Sequence, residues 1–248
     1  PFARNALFSG MLPNTLKQEY PDLWKKMFYN NKLNGFEGTL FNKLLLKNNF
    51  NQLKHKYLKI SDFNSGKKFV NKANDYKNID ILNIVVNFVD ILAHKSSQMD
   101  VLKEMVPDES GYRTAVRSWL NHSWLLQVLK KLSENNFTVI LTSDHGSIRV
   151  QRDVMVAADR EASSGVRYKY GRNLNTKEKN AIIIKEPEKF RLPVFGPQPS
   201  YIVAKDDVYF IYPNQAHKYQ SKFKNSFQHG GVSMEEMMVP VAIMKGRG

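Results

Sequence analysis

The segment that most narrows the fold is Phe137-Thr138-Val139-Ile140-Leu141, an apolar, partly β-branched run that leads into Thr142-Ser143-Asp144-His145-Gly146-Ser147. Such a run is predicted to be a buried strand. At its end a carboxylate and an imidazole stand side by side, and the glycine after them leaves room for a sharp turn. In open α/β sheets, ligands collect at the carboxyl ends of strands. Asp with His is a donor pair suited to a divalent metal such as zinc. Read alone, the same residues serve equally as a polar strand end in which Asp144 caps the next segment.

A second run repeats the pattern. Asp80-Ile81-Leu82-Asn83-Ile84-Val85-Val86-Asn87-Phe88-Val89 is nearly continuous in apolar residues, as a strand buried on both faces should be. Asp90 follows it, then Ile91-Leu92-Ala93-His94, so a helical turn here puts Asp90 and His94 on one face. One such pair is explained by a capping Asp and a surface His. Two pairs at two strand ends favour a ligand site. Between the runs, Tyr112 to Asn135 is predicted as one long amphipathic helix through Val116, Trp119, Leu120, Trp124, Leu125, Val128, Leu129 and Leu132. Strand, helix, strand is the pattern of a parallel sheet.

The rest of the chain surrounds these two units. Residues 1–13 read as a short helix ending at Gly10, and Thr15 to about Asn49 is helical in pattern with two apolar stripes. Asn48 to Asn78 is rich in Lys and Asn and is expected to leave the core as a cap over the site. Arg149 to Asn175 interleaves Arg152, Arg160, Arg167, Lys169 and Arg172 with Tyr168 and Tyr170, a composition that suits a phosphate-and-base ligand or a solvated loop. Strands are predicted at Asn180–Lys185, Tyr201–Lys205, Val208–Tyr212 and Met238–Ile243. His229-Gly230-Gly231 precedes Ser233 and Glu236, which are spaced as a capping box. His55, His122 and His217 lack a carboxylate neighbour of the same kind and read as ordinary histidines.

Composition sets limits on the chemistry. The 248 residues, 42% of them hydrophobic, suffice for one large α/β domain with insertions. There is no cysteine, so a metal site must use His and carboxylates, and disulfides contribute nothing. No apolar run has the length of a membrane span. The net charge of +14 favours a polyanionic partner, either nucleic acid, a nucleotide or an acidic membrane surface; a solvated Lys- and Asn-rich surface is the plainer explanation.

Asp90-x-x-x-His94, Asp144-His145-Gly146 and His229-Gly230-Gly231 resemble, in order and spacing, the two-metal site of the alkaline phosphatase superfamily. Ala3-Arg4-Asn5-Ala6-Leu7-Phe8-Ser9-Gly10, Arg160-Glu161, Arg167-Tyr168-Lys169-Tyr170-Gly171-Arg172-Asn173 and Phe227-Gln228-His229-Gly230-Gly231-Val232-Ser233 are similar to its PglZ branch. Within that branch they are most similar to the effector domains of PorX-like response regulators of the type IX secretion system of Bacteroidetes. The resemblance runs over essentially the whole chain.

It implies an alkaline-phosphatase-like α/β fold with a mainly parallel central sheet flanked by helices and a helical, Lys-rich cap insertion over about residues 14–79. It also implies two Zn2+ ions. Asp90, His94 and His229 would hold the first, and Asp144 and His145 would help to hold the second. The family's remaining metal-binding Asp and its Thr nucleophile are expected before Pro1, together with the first core strand and a receiver domain. Lys169 and Arg172 are the candidate substrate-phosphate contacts. The implied activity is a zinc-dependent phosphodiesterase or phosphatase on oligonucleotides, including cyclic ones. The protein would be the cytoplasmic output domain of a two-component regulator, with a sensor kinase, a sigma factor and a second copy of itself as partners. Two alternatives stay open: a catalytically silent metal-binding module acting through protein contacts, and a PglZ component of phage defence.

Overall fold

The computed structural model describes residues 2–28, 32–96, 99–158, 163 and 165–246; Pro1 and the Arg160-Glu161 pair lie outside the described residues. The chain opens with helices α1 (Phe2–Ser9), α2 (Pro13–Glu19), α3 (Pro21–Phe28) and α4 (Glu37–Lys47). Strand β1 (His55–Ile60), helix α5 (Phe63–Lys72) and strand β2 (Ile81–Val86) follow. Four helices come next: α6 (Phe88–Ser96), α7 (Asp100–Met105), α8 (Glu109–His122) and α9 (Trp124–Glu134). The second half is strand-rich, with β3 (Val139–Thr142), β4 (Ile148–Arg149), β5 (Arg152–Met155), β6 (Tyr168–Gly171), β7 (Ala181–Ile184), β8 (Ser200–Ala204) and β9 (Val208–Ile211). Helix α10 (Ala216–Phe223), strand β10 (Phe227–Gln228), helix α11 (Met234–Met237) and strand β11 (Val241–Met244) complete it.

The α/β class is as expected, and the strand pairing is mixed. The β1–β2 and β5–β9 ladders are parallel, while β3–β11, β4–β10 and both ladders of the β6–β8–β7 sheet are antiparallel. β3 takes β11 as its partner, and no ladder joins β2 to β3 among the described residues. The run at Phe137–Leu141, expected to be a buried strand, begins only at Val139 and leaves Ile140 64% exposed. Leu141, Val241 and Ile243 are exposed with it. β2 is half-buried along its whole length. Burial on both faces needs a packed layer on each side, and the described residues do not supply that around the β3–β11 ribbon.

Two expectations change for local reasons. The Lys- and Asn-rich stretch from Asn48 to Asn78 supplies β1, which runs in register with β2 from His55↔Ile81 to Ile60↔Val86. Lys56 and Lys59 are its exposed positions and Ile60 its buried one, so two of the lysines that suggested an excursion belong to a sheet strand, one on each face. The helix expected from Tyr112 to Asn135 is two helices. Ser123 sits between them at φ −88°, ψ 164°, and its hydroxyl accepts from the Leu125 N–H. An extended residue with a side-chain cap ends one helix and starts the next.

The cores form around these joints. Ile60, Phe69, Val70, Trp124, Leu125, Val128 and Leu132 gather α5 and α9 against the β1–β2 pair. Phe8, Met11, Leu16, Trp24, Met27 and Leu40 hold the N-terminal helices together. Val154, Val156, Leu174, Ile202, Ala204, Val208 and Phe210 fill the strand-rich half. No helix among the described residues is long and apolar enough to cross a membrane. Replacing Ser123 with Ala should cost about 1 kcal/mol, the usual value of an N-cap hydroxyl. Denaturant midpoints measure this, and an unchanged midpoint would show that the cap does not hold the α8–α9 joint.

Candidate metal centre

Three separate segments bring imidazoles and carboxylates to one place. α6 starts two residues after β2 ends, which puts Asp90 in its first turn, where a carboxylate suits the helix N-terminus. One turn on, His94 Nε2 lies 3.4 Å from Asp90 Oδ1. The loop between β3 and β4 carries Asp144 and His145. β10 pairs with β4 through Phe227↔Arg149 and Gln228↔Ile148, and this register delivers the next residue, His229, to the same loop. The His145 and His229 rings stack with centroids 3.9 Å apart. His229 Nε2 lies 3.0 Å from His94 Nε2 and 3.5 Å from Asp90 Oδ1.

The electrostatics follow from this crowding. Hydrogen bonds from His229 and then His94 hold the Asp90 carboxyl far below the usual carboxylate range. Its partnership with Asp90 pushes the His94 imidazole up, against the pull of burial. Burial is the largest influence on His229 and pushes its imidazole down. Asp90, His145 and His229 each offer an atom within 4.8 Å of the others, and His94 meets His229 directly. Three imidazoles and a carboxylate converging without a thiolate form a donor set for a divalent metal such as zinc. His145 Nδ1 lies 3.0 Å from the Gly146 carbonyl; with the proton there, Nε2 is left as the free ligand nitrogen.

Asp144 stands on the other side of His145, with Oδ2 3.7 Å from His145 Nε2. It is gripped by a group that the sequence did not single out. Arg4 Nε donates to Asp144 Oδ2 at 3.3 Å, and its Nη1 donates to Glu37 Oε1 and Asn87 Oδ1, each at 3.3 Å. Burial pulls on the Arg4 guanidinium, but the carboxylates of Asp144 and Glu37 outweigh it and raise its pKa. Glu37 is fully buried and also accepts from Tyr57 and Lys59. The only sequence signal for this network was Arg4 within the family-like opening segment. Tyr112 was also missed: its ring stacks on Phe227 at 4.4 Å and its hydroxyl donates to the Val89 carbonyl at 3.2 Å, bracing β10 against the start of α6.

The two substrate-contact candidates part company. Arg172 is exposed just past β6. Lys169 is fully buried, with Nζ 4.4 Å from the centre of the Tyr212 ring and 3.4 Å from the Ser163 carbonyl.

Residues 1–244 match the model of a family described as the BREX system PglZ alkaline phosphatase-like domain. No curated protein matches. Among solved structures, the chain is similar to phosphonoacetate hydrolase from Sinorhizobium meliloti 1021 in complex with phosphonoformate, at 12% identity and a TM-score of 0.43, covering 73% of this chain and 48% of that one. It is also similar to an inactive variant of murine ectonucleotide pyrophosphatase/phosphodiesterase 5 in complex with AMP, at 13% identity and a TM-score of 0.48, covering 82% of this chain and 62% of that one. The chain thus spans less than two thirds of either structure's length.

Two measurements test the site. Zn2+ should raise the melting temperature of the wild-type protein by mass action. His229→Ala should remove most of that rise, and an equal rise in the variant would take His229 out of the site. Burial lowers the Lys169 ammonium from its usual 10.5 to about 8. Between those values the unfolded chain binds more protons, so stability rises with pH across the window. Below it, the charged buried form costs roughly 3 kcal/mol. Lys169→Met should therefore be more stable than wild type at pH 7, with an advantage that fades toward pH 10.5. Stability curves that stay parallel over the window would show that Lys169 is not buried as charged.

Proposed function

Because the chain belongs to the family of BREX-system PglZ alkaline-phosphatase-like domains, we propose that it is a metal-dependent phosphoric ester hydrolase, and more specifically a two-zinc phosphodiesterase acting on oligonucleotides, including cyclic ones. The observation that carries this reading is the convergence of Asp90, His94, His145 and His229 from three chain segments. In the proposal, Asp90, His94 and His229 hold one zinc and Asp144 and His145 help to hold the other.

Asp90, His94, His229, Asp144 and His145 would hold the metal, which would supply Lewis-acid chemistry toward a phosphoryl group. This chain's own residues prepare the site. Asp90 supplies the anionic charge that a dication needs. The Gly146 carbonyl orients the His145 ring. Glu37 anchors Arg4, and Arg4 holds Asp144 in place. The proposed nucleophile is a Thr preceding Pro1: its oxygen would bond to phosphorus as the ester's P–O bond breaks, the leaving alcohol would depart with the hydroxyl proton, and water would then hydrolyse the Thr ester. Net charge supports a polyanionic substrate. Arg172, exposed at the surface, is the proposed contact to a substrate phosphate, with Lys169 behind it in the same segment.

The proposed setting is the output domain of a PorX-like response regulator of type IX secretion, cytoplasmic and homodimeric, with a sensor kinase and a sigma factor as partners. A second reading, a phage-defence component, is favoured by the BREX wording of the family description. A receiver domain with its phospho-acceptor Asp upstream of Pro1 would decide for the first.

The test uses the full-length protein, with the segment before Pro1 that would carry the Thr, on a small chromogenic phosphodiester and an oligonucleotide, each across a salt series. Chelation should abolish hydrolysis of both, and Zn2+ should restore it; turnover that survives chelation would end the metal reading. Arg172→Ala should lower kcat/KM for the oligonucleotide several-fold while sparing the small diester. Oligonucleotide binding should also fall steeply with salt, because each neutralised phosphate releases counterion. A flat salt response would remove nucleic acid from the proposal.

A further inference from the structure

The two histidine-bearing loops are tied to each other by one residue, through bonds to the neighbours of the histidines. Glu236 lies in α11 and is almost fully buried. Its carboxylate accepts from the Gly231 N–H at 2.8 Å and from the Ser233 N–H at 3.1 Å, closing the loop that begins at His229. Its backbone carbonyl accepts from the Gly146 N–H at 2.9 Å, in the residue after His145. One residue thus bonds to the His145 loop through its main chain and to the His229 loop through its side chain.

Arg167 fixes Glu236 in turn. Its Nε donates to Oε1 at 3.0 Å and its Nη2 to Oε2, a two-pronged pair in which both groups are excluded from solvent. Nη1 donates to the Val208 carbonyl and, at 3.3 Å, to the Lys205 carbonyl, so the guanidinium is bolted to the turn between β8 and β9. Burial pushes the Glu236 carboxyl up, but Arg167 and the two N–H donors outweigh it and hold the group below its usual range. Every acceptor direction of the carboxylate is occupied.

The glycines show how tight the tie is. A Cβ on Gly231 would lie 2.4 Å from Arg167 Nη2 and 2.6 Å from the Ala204 carbonyl oxygen. A Cβ on Gly146 would lie 1.9 Å from the Glu235 carbonyl oxygen. With a side chain at these positions the His145 loop could not keep its present distance from α11, nor the His229 loop its distance from Arg167 and the end of β8. A buried ion pair contributes little net stability compared with an apolar pair of the same volume. What this one supplies is a fixed geometry.

We propose that Glu236, locked by Arg167, is a positioning residue that sets His145 against His229 and thereby tunes metal affinity and coordination geometry. This rests on the metal reading of the site proposed above. Partners of this kind, one step removed from the metal, change affinity by about 10–100-fold when removed.

Co2+ binding, read by its visible absorption and by titration, tests the idea without using activity. In Glu236→Gln the amide keeps one acceptor oxygen and turns an NH2 toward N–H donors, so the His229 loop is released while the main-chain bond to Gly146 stays. Co2+ affinity should fall about 10–100-fold, with a changed absorption spectrum. Gly146→Ala releases the other loop with the ion pair intact and should shift the spectrum as well; it also serves if Glu236→Gln does not fold. Ser123→Ala, at the α8–α9 joint and away from both histidine loops in sequence, controls for stability and should bind Co2+ as wild type does. A Glu236→Gln protein that melts lower yet binds Co2+ with wild-type affinity and spectrum would reduce the residue to a structural role and overturn the proposal. A folded Gly146→Ala protein with the wild-type spectrum would overturn it too. If wild type itself binds no Co2+, the metal reading fails first and takes this inference with it.

Discussion

A ladder two residues long on each strand carries the site. β4 and β10 pair only through Arg149 with Phe227 and Ile148 with Gln228, yet this pairing sets His229 against His145. A ladder so short is weak by itself and is held from its flanks. Tyr112 stacks on Phe227, and the Val150 N–H donates to the Ser226 carbonyl at 2.9 Å. Arg167 and the β5–β9 pair fix the long intervening chain. Loop-closure entropy grows only logarithmically with length, so a distant histidine costs little more to recruit than a near one once such contacts hold the connection.

Charge is distributed unevenly. The chain carries a net +14, but four of its carboxylates each face a base, Glu37 and Glu236 buried, Asp144 partly buried and Asp90 partly exposed: Asp90 faces His94 and His229, Asp144 and Glu37 face Arg4, and Glu236 faces Arg167. Buried charges persist only when paired and hydrogen-bonded. The arrangement therefore fixes side-chain directions rather than adding stability. Around Asp90 it also brings imidazoles close enough to compete for one cation or one proton, which is the chemistry of a metal site.

The β3–β11 ribbon departs from ordinary burial. Ile140, Leu141, Val241 and Ile243 are all exposed there, and Met234, Met237 and Met238 extend the apolar surface through α11. Apolar residues on both faces of a strand are the mark of a strand with layers on both sides. The local pattern and the surrounding packing therefore disagree at the strand that carries the Asp144-His145 loop.

The sequence by itself determined the α/β class, the two strand-end pairs Asp90/His94 and Asp144/His145, and the His229-Gly230-Gly231 turn, because each is a short-range pattern set by side-chain period and turn chemistry. The i, i+4 spacing of Asp90 and His94 placed them on one helix face before any fold was known. It missed the strand His55–Ile60 within Asn48–Asn78, since exposed lysines in a strand look like those of a loop. It missed the break at Ser123, since an amphipathic stripe continues through a capped joint. Only the tertiary structure decided that His145 stacks on His229, that Lys169 is buried while Arg172 is not, that Arg4 holds Asp144, and that Glu236 joins both loops. These are contacts between residues far apart in the chain. No local propensity encodes them, because they depend on strand register and on which buried charge finds a partner when the cores close.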